Sequence, residues 1–126
     1  MSAFVESFEE IRPYYDEEVQ GVLQRLINKP SFSLLMRYLF PDRETHETLE
    51  DLRHIQSTQA FQAQYIRRAI RRIVSDSTEG LSISGLESLD KLIPYFFLSN
   101  HRDIILDSAF LNVLLFEHGF DTTQIA

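Results

Sequence analysis

The stretch Phe61-Gln62-Ala63-Gln64-Tyr65-Ile66-Arg67-Arg68-Ala69-Ile70-Arg71-Arg72-Ile73-Val74 is the clearest amphipathic pattern in the chain. Phe61, Tyr65, Ile66, Ala69, Ile70, Ile73 and Val74 recur at the three- and four-residue spacing of one helix face. Four arginines occupy the other side. A helix of this kind must bury its stripe against neighbours, and the residues before it supply them. Asp16 can cap a helix whose Val19, Val22, Leu23, Leu26 and Ile27 form one stripe, and Pro30 ends it by disfavouring helical backbone at Lys29. Ser31 can cap a second helix that sets Phe32, Leu35, Met36, Leu39 and Phe40 on one side and closes at Pro41. Asp42 or Thr45 can start a third with Leu49, Leu52 and Ile55 inward. Residues 1–76 therefore read as a bundle of about four helices.

The character changes at Asp76-Ser77-Thr78-Glu79-Gly80, a turn-forming cluster. Leu81 and Ile83, then the apolar run Tyr95-Phe96-Phe97-Leu98, read as short strands, the run as one covered on both faces. A polar segment, Ser99-Asn100-His101-Arg102-Asp103, leads into another helical pattern. The expected fold is mainly α with an α+β second part, residues 77–126 forming the opening strands and helix of an incomplete α/β domain.

Composition narrows the function. Hydrophobic residues make up 44% of the 126, enough for a core, and 19 acidic against 12 basic residues give a net charge of −7, which argues against a nucleic-acid partner. Without cysteine there is no disulfide or thiolate metal site, which suits a reducing cytoplasm. The opening Met1-Ser2-Ala3-Phe4-Val5-Glu6 lacks the basic and apolar regions of a secretion signal. Ile104–Phe116 is interrupted by Asp107, Ser108 and Asn112 and falls short of the ~20 residues that span a bilayer. His46, His54 and His118 have no partners at ligand spacing, so no metal site is expected.

The candidate chemistry lies just beyond the apolar run, where α/β sheets place their sites. His101 can accept a proton near neutral pH, and a carboxylate within reach fixes its tautomer and stabilises the imidazolium. Asp103 and Asp107 both compete for that supporting role. Residues alone also allow a solvated surface histidine. Arg67, Arg68, Arg71 and Arg72 either face solvent or meet an anionic surface such as phospholipid or acyl carrier protein. Phe32–Phe40 with Arg37 either packs in the core or lies in a membrane interface.

Ile83-Ser84-Gly85-Leu86-Glu87, the run Pro94–Leu98, and Ser99-Asn100-His101-Arg102 together resemble the first block of the glycerol-3-phosphate and 1-acylglycerol-3-phosphate acyltransferases. That family reads Gly-Leu-Glu, a turn, an apolar strand, then Ser-Asn-His-Arg. The resemblance covers about Ile83–Phe116. It implies that His101 deprotonates a glycerol hydroxyl, which attacks an acyl thioester, with Asp107 or Asp103 as support and Arg102 and Asn100 as substrate-binding residues. It also implies acyl-CoA or acyl carrier protein as co-substrate rather than a resident cofactor, a glycerol-phosphate acceptor, and a role in phospholipid synthesis at the inner face of the membrane. The family's Asp would fall at position 106, which is Leu here, so Asp107 stands one residue late.

His101-Arg102-Asp103 also resembles the catalytic loop of protein kinases, but Ser108 stands where a metal-binding Asn belongs and no glycine-rich phosphate loop is present. The acyltransferase family's later blocks, an Arg-containing stretch and a Gly-Glu pair, have no counterpart in the 126 residues. A strand ending at Ile125 would lack a successor, so the chain is expected to be an N-terminal fragment, inactive alone, whose open sheet edge pairs with a second copy. The competing class is a helical interaction module with no chemistry.

Overall fold

The computed structural model describes Glu9 and residues 11–123. It is mainly helical, and its described residues contain no strand. The expected strand end at Ile125 lies outside them. Two compact units divide the chain, Met1–Ile66 and Arg67–Ala126.

In the first unit, α1 (Asp16–Ile27) buries Val19, Leu23 and Ile27, four residues apart, as its pattern requires. Asp16 is the first helical residue rather than the cap. The cap position is Tyr15, whose N–H donates to Glu18 Oε2 at 2.7 Å. Arg12 donates to both Glu18 oxygens at 2.9 Å, and this pairing, with the Tyr15 amide second, pulls the Glu18 carboxyl down to about 2. Asp16 is left to accept from the Thr58 N–H at 3.0 Å and hydroxyl at 3.1 Å, across 42 residues of sequence.

Pro30 both stops α1 and takes the first position of α2 (Pro30–Leu39), where its missing N–H costs nothing, so the cap is Lys29 and not Ser31. Helix α2 ends ahead of Pro41, and α3 (Thr45–Leu52) begins after Glu44. Ser57 caps α4 (Thr58–Phe61), its hydroxyl accepting from the Ala60 N–H at 3.0 Å. The helical stretch continues as a wide π turn, Gln62–Ile66, and then as α5 (Arg67–Ser77). Leu52 and Thr48 are the most deeply buried side chains of this unit, and Tyr65 lies edge-on to Phe40 with ring centroids 5.7 Å apart.

In the second unit, Ile70 and Val74 of α5 pack on Val113 of α6 (Leu106–Glu117), with Ile73, Leu81, Ala109 and Phe110 around them. Arg71 binds Glu117 with two guanidinium nitrogens, Nε at 2.8 Å, which lowers the Glu117 carboxyl below its ordinary range. Part of the arginine stripe is thus committed within the unit. Between α5 and α6 the chain carries one 3₁₀ turn, Leu86–Ser88. The strands expected at Leu81, Ile83 and Tyr95–Leu98 are not seen. A strand exists only by pairing, and no described segment offers an edge; Phe96 and Leu98 are both 86% exposed. After α6, Gly119 turns back in left-handed backbone (φ 78°), and Asn112 Oδ1 accepts from the N–H and hydroxyl of Thr123, at 2.6 and 3.0 Å.

Candidate functional site

The segment that leads into α6 organises itself around two carboxylates. Asp103 Oδ1 accepts from the Ile105 and Leu106 N–H groups at 2.9 and 2.7 Å and so closes the turn ahead of the helix, whose N-cap position is Ile105. Asp107 sits in the first turn of α6 and reaches back: its Oδ2 accepts from the Arg102 N–H at 2.5 Å and the Asp103 N–H at 2.9 Å.

These bonds fold the backbone after His101 into a tight loop and bring the imidazole over the same carboxylate. His101 Nδ1 lies 3.9 Å from Asp107 Oδ2. That separation exceeds a hydrogen bond and permits a Coulombic contact. The ring is 70% exposed, so a side-chain rotation can close the gap without disturbing the core. Nδ1 is the ring nitrogen set against Asp107.

His101 and Asp107 line one part of an open cleft of about 1050 Å³ in the second unit. The larger part of its wall is apolar, Leu92–Leu98, Ile104, Leu111, Leu115 and Phe120, and Ser99, Ser108, Asp121, Thr122 and Thr123 are among its polar members. Asn100, Arg102 and Asp103 do not line it, and all three are exposed. The structure therefore brings together His101 and Asp107, and sets Asn100, Arg102 and Asp103 beside them. Lys91 was not singled out by any motif. It lines the cleft with its ammonium 5.2 Å from the Phe120 ring, a position set by the turn at Gly119 and invisible in local spacing. Among the described residues no group of three or more His, Asp or Glu is placed to hold a metal.

Both carboxyls are held below their ordinary range. For Asp107 the largest cause is the Asp103 amide, then the Arg102 amide, with His101 contributing less; for Asp103 it is the Leu106 amide, then that of Ile105. A carboxylate whose folded pKa is depressed stabilises the fold fully above its unfolded value, ~3.9, and loses that contribution as pH falls through the lower folded value. The amide signals of Arg102, Asp103, Ile105 and Leu106 in a ¹H–¹⁵N titration are thus expected to move together, with midpoints below ~3.9. Midpoints at the ordinary value would show that these bonds are not formed.

The chain matches no protein-family profile, no curated protein and no solved structure.

Proposed function

We propose that the chain carries the base-bearing block of an acyltransferase that moves an acyl group from a thioester, acyl-CoA or acyl carrier protein, to a hydroxyl of a glycerol phosphate. The observation that carries this reading is the placement of His101 against Asp107 on a cleft whose wall is more apolar than polar. His101 Nε2 takes the hydroxyl proton as the oxygen attacks the thioester carbonyl, and the Asp107 carboxylate stabilises the resulting imidazolium. The tetrahedral intermediate collapses with cleavage of the C–S bond. The imidazolium then returns its proton to the departing thiolate, which restores the neutral ring.

The apolar wall suits an acyl chain, which gains by leaving water. Arg102 and Asn100, exposed beside the cleft, are assigned to the acceptor's phosphate. Lipid substrates suit a cytoplasmic protein at the inner face of the membrane. No helix among the described residues is long and apolar enough to cross one.

A second reading, an interaction module without chemistry, draws support from the exposure of Phe96 and Leu98, which fits a surface covered by a partner. The two readings part on acceptor dependence. The intact polypeptide carrying this block is expected to release free thiol from an acyl thioester only when glycerol 3-phosphate or its 1-acyl derivative is present. Thiol release no faster than the buffer background with either acceptor contradicts the enzyme reading.

A further inference from the structure

Helix α2 turns an unusual face outward. Its inner side is ordinary: Met36 is 4% exposed and Phe32 and Leu39 are half-buried, packed in a unit where α2 meets α1 and α3. The opposite side of a bundle helix carries charge as a rule. Here it presents Leu34, Leu35 and Tyr38, which are 59%, 47% and 78% exposed.

Leu34 and Tyr38 are four residues apart and so share one line along the helix. The charged side chains of α2 and of the chain leading into it are basic, and the next acid is Asp42, in the turn beyond the helix. Arg37 belongs to α2, Lys29 precedes it, and Arg25 lies in the last turn of α1, all three exposed. Val19–Pro41 contains none of the nineteen acidic residues of the chain. An acid-free basic stretch with an apolar outer face, in a chain of net charge −7, is a local reversal of the protein's overall character.

We infer that this face docks on the surface of an anionic lipid bilayer. Leucine and tyrosine side chains reach the boundary between headgroups and acyl chains, where an aromatic ring with a hydroxyl is well accommodated. Exposed arginine and lysine side chains have stems long enough to reach lipid phosphates while their heads stay in water. A second copy is a poorer occupant. A twofold contact through this face would bring two basic stretches together, with no acid between Val19 and Pro41 to answer them. The docking face belongs to the first unit and stands independently of the chemistry proposed at His101.

The test is cosedimentation of the chain with vesicles of phosphatidylglycerol and phosphatidylcholine, against vesicles of phosphatidylcholine alone. Binding to the anionic vesicles is expected, at least about tenfold tighter than to the neutral ones and weakened by added salt. Arg37→Gln should reduce it about fivefold. Tyr38→Ser and Leu34→Ser should each reduce it about tenfold, with helical circular dichroism retained because both side chains are exposed. Failure to bind phosphatidylglycerol vesicles overturns the proposal, as does binding that both serine variants leave unchanged. A dimer in solution that Tyr38→Ser converts to monomer overturns it in favour of a second copy.

Discussion

Leu52→Ala is expected to lower the stability of the first unit by about 3 kcal/mol, within the range for truncating a fully buried leucine. Leu52 is wholly inaccessible to solvent at the end of α3, a helix that packs against both α1 and α2. Removing three carbons there loses their transfer free energy and leaves a cavity that two flanking helices cannot close without moving. Against a typical total of about 5–15 kcal/mol this is a large loss.

Thr48 supplies the control. It is buried one turn earlier on the same helix, and its hydroxyl donates to the Glu44 carbonyl at 3.3 Å, an oxygen that already accepts from the Thr48 N–H at 3.1 Å. Thr48→Val keeps the shape and orphans little, so its cost should stay below about 1 kcal/mol. Urea unfolding followed by circular dichroism measures both. Equal, small shifts for the two variants would mean that the α3 interior is not packed as described.

The helices were legible because their apolar residues repeat at helical spacing and their ends carry proline. Val19, Leu23 and Ile27, and later Tyr65, Ala69, Ile70 and Val74, are buried as the pattern requires. Cap positions were less legible, since Asp16 and Ser31 are good caps by type but Glu18 and Pro30 organise the helix starts instead. The π turn at Gln62–Ile66 leaves no mark in the pattern, because one wide turn displaces the stripe by a single residue and Phe61, Tyr65, Ala69 and Ile70 tolerate that. Tyr95–Leu98 shows the limit of local reading. Its apolar run states that the segment prefers to be covered, whereas pairing depends on an edge elsewhere in the chain.

At the site, the sequence left Asp103 and Asp107 both as candidates to support His101, and the structure sets Asp107 Oδ2 3.9 Å from the imidazole. The backbone amides of Arg102 and Asp103, which hold Asp107 in place, carry no side-chain signature. Lys91 was missed for a related reason: only the turn at Gly119 and Phe120 brings it to the cleft.

The central claim is that the exposed imidazole of His101 takes a proton from an alcohol. Its removal tests this cleanly, because a ring 70% open to solvent contributes little packing and its loss leaves the bonds of Asp107 to the loop amides intact. General-base catalysis contributes about 10²–10⁴ in rate, and the carboxylate nearest the imidazole, Asp107, is already bonded to two amides. The decisive measurement is the kcat/KM for acyl transfer to a glycerol-phosphate acceptor by the intact polypeptide, wild type against His101→Ala, with circular dichroism confirming that both are folded. The account predicts a loss of about a thousandfold or more in the variant. A folded His101→Ala protein that turns over within about threefold of wild type would contradict it.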